Sequence, residues 1–271
     1  MGGISRNLVV GAVLVVVILG VILLNSVIFV PHPAQPQQGL QTTTSQGTAM
    51  VTSSPSAHAS SANQTIDTRT ITQKGAALAH FIDSMNVTQH WLSGTGGINW
   101  STGDPDLYRP VYSTRVTHCS NFVTAASLRL GVYLLRPPEH DQDNLVNAQN
   151  DWLNGNAGKE AGWTQLSDAI SAQYNANQGN FVVSSTKGTD PGSGNYETVF
   201  GHIAIVRPSA KSSDAILETG PQVAEAGWIN SPDVSVKAGY VSIPGAWVGD
   251  GKGAVQFFMH TIPDSALASN Y

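Results

Sequence analysis

From Leu8 to Leu24 every residue is apolar or glycine, and after Asn25 and Ser26 the run resumes through Val27 to Val30, 23 residues in all. At about 1.5 Å of rise per residue, a helix of that length crosses the hydrocarbon core of a bilayer. Residues 1–7 carry Arg6 and the α-amine, and the next charged residue after the run is Asp67. That asymmetry predicts a cytoplasmic N-terminus, with everything after Val30 on the outer side of the membrane. A cleaved signal peptide is the competing reading. Its apolar region would be shorter and end at small residues, whereas Val30, Pro31 and His32 follow here. The expectation is a retained single-pass anchor over residues 8–30. No cysteine follows the run that could carry a lipid, since the only one in the chain is Cys119.

Residues 31–66 contain no Asp, Glu, Lys or Arg and are dense in Gln, Thr, Ser, Ala and Pro. Such a segment cannot bury enough apolar surface to fold, and is expected to be a disordered tether. As a flexible coil it spans roughly 30–36 Å, enough to hold a domain clear of the lipid surface. The remaining 205 residues, 67–271, carry Trp, Tyr and aliphatic side chains throughout and suit one domain.

Within that domain the spacing of Ala77, Leu78, Phe81, Ile82 and Met85 predicts a helix over Ile71–Met85, followed by a polar loop from Ser93 to Asp106. A second helix is expected over Asn121–Tyr133, with Phe122, Ala125, Ala126 and Leu130 on one side and Gly131 closing it. Asp141–Leu153 and Trp163–Tyr174 are two more helical candidates. The texture then changes to short apolar or alternating runs: Phe181–Thr186, His202–Val206, Ala215–Glu218, Gln222–Ala226, Gly239–Ile243 and Ala254–His260. Helices followed by strands predict an α+β domain built on an antiparallel sheet.

Charged residues make up only 11% of the chain and the formal net charge is -5, which offers no basic surface for nucleic acid. A single cysteine excludes an internal disulfide, a CxxC redox pair and a cysteine-built zinc cluster. No HExxH or comparable spacing of metal ligands occurs, so neither a metal nor an organic cofactor is expected.

Chemistry is then left to a few residues. Cys119 stands at the start of the second helix, in Thr117-His118-Cys119-Ser120-Asn121-Phe122-Val123, where unpaired N–H groups and the helix dipole favour a thiolate. A small buried cysteine without a task is the bland alternative. His202, one of eight histidines, opens a strand in Phe200-Gly201-His202-Ile203-Ala204-Ile205-Val206. A thiol nucleophile needs an imidazole to take its proton, and the imidazole needs a third polar group to fix its tautomer. Glu218 and Glu225, 16 and 23 residues beyond His202, both compete for that place. Trp91, Trp100, Trp152, Trp163 and Tyr108 are candidates for a glycan or peptide groove, although core packing is expected for most of them.

Taken together, Cys119 with Phe122-Val123 after it, the Gly201-to-Val206 strand and the acidic strand Val223-Ala224-Glu225-Ala226 resemble the papain-like CHAP and NlpC-type cysteine amidases and endopeptidases of bacterial cell walls. The resemblance covers Cys119 to Glu225, about half of the folded part. It implies a papain-like fold, with Cys119 as nucleophile, His202 as general base and acid, and Glu225 as orienting group, Glu218 being the alternate. The implied substrate is an amide bond in the stem peptides of peptidoglycan. One departure stands out: His202 lies 83 residues after Cys119, with two helical candidates between them. A protein-directed cysteine protease or transpeptidase, and a catalytically silent wall-binding module, are the rival readings. If the anchor is retained, full-length protein stays in the membrane through a high-salt wash, and protease added outside releases a fragment beginning within residues 31–66. A soluble mature form starting near Gln35 would identify a cleaved signal instead.

Overall fold

The apolar spacing of Ala77, Leu78, Phe81 and Ile82 produces α1 (Gln73–Ser84), whose first turn is closed by the Thr72 hydroxyl accepting from the Gly75 N–H at 3.0 Å. The computed structural model describes residues 67–106, 117–188 and 201–268. The expected cytoplasmic N-terminus, anchor and tether, and Tyr108, lie outside the described residues. Among the described residues no helix is long and apolar enough to cross a membrane.

After α1 come α2 (Cys119–Arg129), α3 (Leu145–Asn154), α4 (Asn156–Glu160), β1 (Thr164–Leu166), α5 (Ala169–Asn177), β2 (Phe181–Thr186) and β3 (His202–Val206). The described chain continues through α6 (Ser213–Thr219), β4 (Gln222–Ala226), β5 (Asn230–Ser235), α7 (Val236–Gly239), β6 (Gln256–His260) and α8 (Asp264–Ala268). The strands form one antiparallel sheet in the order β1-β6-β2-β3-β4-β5, so the fold is of the mixed α+β kind.

Strands β2 and β3 are buried along their whole length because both sheet faces are covered. Phe181, Val183, Ile203, Ile205, Ala224 and Phe258 pack in one cluster with α1 and with Phe122, Val123 and Ala126 of α2. The alternate residues Val182, Ala204, Val206, Val223 and Phe257 pack in a second cluster with Ala169, Ala172 and Ala176 of α5, Ile216 of α6 and Tyr240. Alternation therefore puts His202 on the second face, while α2 covers the first.

Three expected elements are corrected, and one strand is added. The Trp163–Tyr174 helix divides: Thr164–Leu166 pairs with β6, and the Asp168 carboxylate accepts from Ser171 N–H at 2.7 Å, so the helix starts only at Ala169. Ala215–Glu218, expected as a strand, is helical in α6. The Ser212 hydroxyl caps its first turn, and Gly220, at φ 78°, ends it. Gly239–Ile243 is the end of α7 and a turn rather than a strand, because the Ser235 hydroxyl caps a helix at Ala238 N–H. The edge strand β5 went unforeseen because Ser231, Pro232 and Asp233 carry no apolar alternation, and an edge tolerates proline.

Phe122 fixes α2 to the core, fully buried and edge-to-face with Trp91 at 5.3 Å between ring centroids. Phe122→Ala is expected to cost about 3–5 kcal/mol, measured as a shift of the urea midpoint. A loss below about 1 kcal/mol would mean that α2 is held by other contacts.

Candidate active site

Cys119 is the first residue of α2, and the residue ahead of it, His118, makes no side-chain cap. The first-turn N–H groups are therefore not taken by a capping side chain, unlike those of α1, α5 and α6. From the other side of the sheet, the start of β3 brings the His202 ring to the thiol. Cys119, His202 and Glu225 are 3%, 6% and 5% exposed. His202 Nε2 and Glu225 Oε2 are 2.7 Å apart. The ring also faces the Cys119 sulfur, and each of the two groups acts on the ionisation of the other.

Burial alone would push the Cys119 thiol up and the His202 imidazole down. For Cys119 the hydrogen bond and charge of His202, together with N–H groups of Ile203 and Ser120, outweigh burial and hold the thiol below its ordinary value. For His202 the Cys119 sulfur and the Glu225 carboxylate outweigh burial and push the ring up to about 10. Both shifts run in the direction that favours a thiolate beside an imidazolium.

The neighbouring histidine cannot substitute. Burial pushes His118 down to about 4, so it is neutral near pH 7, and its Nε2 faces the Thr95 hydroxyl at 3.4 Å.

Close approach at this site depends on Gly239, while Gly227 borders it with room for an ordinary contact. A Cβ on Gly227 would stand 3.4 Å from His202 Cε1, and one on Gly239 would stand 2.6 Å from Glu225 Oε2. Beside them Tyr240 packs edge-on against the His202 ring at 4.6 Å. Its hydroxyl, pushed well up by burial, stays protonated and donates to the Ser184 carbonyl or hydroxyl at 2.8–2.9 Å. Neither Gly239 nor Tyr240 was visible as a site residue in the sequence, because both lie in a segment that reads as a strand.

The three expected residues are thus brought together at the end of the sheet. Glu218 is not among them. It sits exposed on α6, where its backbone carbonyl accepts from Trp247 Nε1 at 3.2 Å. Gln222 is also turned away, bonded to Asp233 and Lys211.

A cleft of about 430 Å³ opens over Cys119 and His202. Gln142–Val146 before and within α3 line one part of it, and Gly227, Trp228, Ser242 and Ile243 line another. Of the aromatic candidates, Trp91 and Trp163 are buried in the core and Trp152 packs against it. Trp228, which the sequence reading passed over, is the tryptophan that lines the cleft, at 46% exposed. Among the described residues no group of three or more His, Cys, Asp or Glu is arranged to hold a metal ion. No family model and no curated protein matches the sequence.

The sign of the pH dependence follows from the two shifts. His202, raised above the usual 6.5, contributes its full stabilisation below pH 6.5 and loses it as pH climbs through about 10. Cys119, lowered from 9.0, contributes above pH 9 and loses its share as pH falls through its depressed value. Ultraviolet thiolate absorbance is therefore expected at neutral pH in the wild type and absent in His202→Ala. A thiol that ionises only above pH 8 in the wild type would contradict the ion pair.

Proposed function

We propose that this chain is a cysteine hydrolase of papain-like type, acting through Cys119, His202 and Glu225. Within that class, the reading best supported is a membrane-anchored, extracytoplasmic amidase or endopeptidase that cleaves an amide bond in peptidoglycan. The observation that carries the first statement is the buried chain of contacts from sulfur to imidazole to carboxylate, opening on a cleft. The substrate reading rests on the resemblance of the motifs to cell-wall hydrolases, and on the expected anchor and tether, which would hold the domain beside the wall.

The chemistry follows from the geometry. Cys119 thiolate attacks the scissile carbonyl, forming the C–S bond as the carbonyl π electrons move onto oxygen. Backbone N–H groups at the α2 N-terminus, that of Cys119 among them, stabilise the oxyanion. Collapse expels the amine, which takes its proton from His202, and leaves a thioester. Water, deprotonated by the now neutral His202, then attacks the thioester and returns the thiolate. Glu225 keeps the ring oriented and stabilises the imidazolium throughout.

Cys119→Ala is expected to abolish turbidity loss of purified walls while leaving circular dichroism and wall co-sedimentation unchanged. Glu225→Ala lowers kcat by about 10-fold to 10⁴-fold. Glu225→Gln is milder, because an amide oxygen still accepts the imidazole N–H, and Glu218→Ala is near wild type. Full wall hydrolysis by Cys119→Ala would end the catalytic reading. Mass spectrometry of the released fragments identifies the bond.

A further inference from the structure

We propose that the rim formed by Trp228, Ile229 and Val241 is a bilayer-docking face, which seats the mouth of the Cys119 cleft at the lipid surface. The inference rests on the anchored-hydrolase reading above and concerns how that site is presented. Ile229 and Val241 are 80% and 81% exposed, the most exposed large apolar side chains among the described residues, and Trp228 is 46% exposed. All three fall on one side of the cleft: Trp228 lines it, and Val241 immediately precedes Ser242 and Ile243, which line the same part. Scattered exposed apolar residues are ordinary on a protein surface, but three gathered at the mouth of one cleft mark an interaction surface.

The backbone holds these side chains outward. The Ser93 hydroxyl donates to the Trp228 carbonyl at 3.0 Å, and Asn230 Nδ2 donates to the carbonyls of Val87 and His90 at 2.6 and 2.9 Å, so the turn carrying Trp228 and Ile229 is fixed from both sides. Val241 stands in a turn closed by the Ile243 N–H on the Tyr240 carbonyl at 2.9 Å, and Tyr240 is itself buried and bonded to Ser184. Retracting either aliphatic side chain would break these bonds.

The chemistry of the rim selects its occupant. The two segments that form it, residues 226–232 and 238–249, contain no Asp, Glu, Lys or Arg. An indole beside uncharged aliphatic residues suits a bilayer interface, where the ring sits at headgroup level and the aliphatic groups reach the acyl chains. The chain outside the structure supplies the bilayer: the domain follows a tether, residues 31–66, whose expected span from the anchor is roughly 30–36 Å. Tethering makes docking intramolecular, so even a face of weak affinity is occupied. The other part of the cleft carries Asp143, with Asp141 just before it, and both are exposed to water. With a formal net charge of -5 on the chain, docking is apolar rather than electrostatic, and an anionic surface weakens it.

The test is quenching of tryptophan fluorescence in the full chain with phosphatidylcholine vesicles whose acyl chains are brominated just below the headgroup, since bromine quenches only an indole in contact with lipid. No tryptophan lies in residues 1–66, so the anchor and tether add no signal. Quenching relative to unbrominated vesicles is expected in the wild type and is lost in Trp228→Phe. It is mostly lost in the double variant Ile229→Ser with Val241→Ser, which keeps the reporter and removes the aliphatic rim beside it. Replacing part of the phosphatidylcholine by phosphatidylglycerol lowers the quenching, and added salt leaves the phosphatidylcholine value unchanged. Circular dichroism and Cys119-dependent release of p-nitrophenolate from p-nitrophenyl acetate, neither of which needs docking, are expected to be equal in the wild type and the double variant.

No difference between brominated and unbrominated vesicles overturns the inference, as does quenching that survives in the double variant. Shielding of Trp228 by soluble wall fragments or by a second copy of the chain, with no quenching by lipid, gives the rim to substrate or to self-association and overturns it equally. The two failures separate: a chain that releases no p-nitrophenolate through Cys119 sinks the hydrolase reading, whereas Cys119-dependent release without lipid quenching sinks the inference alone.

Discussion

Three ionisable side chains buried in contact set the terms for the rest of this structure. In its charged form each of the three carries a desolvation penalty of several kcal/mol if left alone. A cation at His202 offsets that penalty for both partners, since its Nε2 is held 2.7 Å from Glu225 and its charge also acts on the Cys119 sulfur. N–H groups of Ile203 and Ser120 add further compensation at the sulfur. Tyr240 brings no third anion, because burial keeps its hydroxyl protonated. Such a chain leaves no room for a side chain at Gly239, whose Cβ would stand 2.6 Å from Glu225 Oε2.

The same economy of charge runs through the core. With 11% charged residues, the chain satisfies buried polar groups mainly with amides. Asn177 donates to the carbonyls of Thr68 and Ser209, Gln173 to that of Arg207, and Gln149 to that of Leu135, tying loops to helices without burying ions. An amide costs less to bury than a charge and can donate and accept at once. Among the described residues, buried carboxylate and imidazole charge is thereby confined to Glu225 and His202, beside Cys119.

How much of this was legible in the sequence depends on how local the determining interaction is. Strands β2, β3 and β4 were read to the residue, because long apolar runs bounded by Gly, Asn or Pro carry their own signal. Helix α2 was expected over Asn121–Tyr133 with Cys119 at its entrance, and it runs from Cys119 itself to Arg129. Glu225 and Glu218 could not be separated from the residues alone, since each ends or lies within an apolar run. What separates them is the Ser212 cap, which makes a helix of Ala215–Glu218 and leaves Glu225 on the strand paired with β3. Gly239 and Tyr240 were missed because their segment reads as a strand, and Trp228 because it reaches the site from a connection whose course is fixed by tertiary contacts, such as the Ser93 hydroxyl bonding its carbonyl.

The long interval between Cys119 and His202 has a structural meaning of its own. It contains α3, α4, β1, α5 and β2, and so supplies the sheet neighbour on which β3 is registered, with Thr186 opposite His202. It also supplies the part of the cleft lined by Gln142–Val146. Gly201, immediately ahead of His202, lies so close to Asn147 of α3 and to the backbone at Thr186 and Gly188 that a Cβ would collide with all three. The interval is therefore not a detachable insertion beside a preformed site. It packs against Gly201, the residue immediately ahead of the imidazole, so the geometry at His202 and the shape of the cleft are set by one body of structure. The cleft and the approach of His202 to Cys119 are for that reason coupled in this fold: a change that reshapes α3 at Asn147 acts on both.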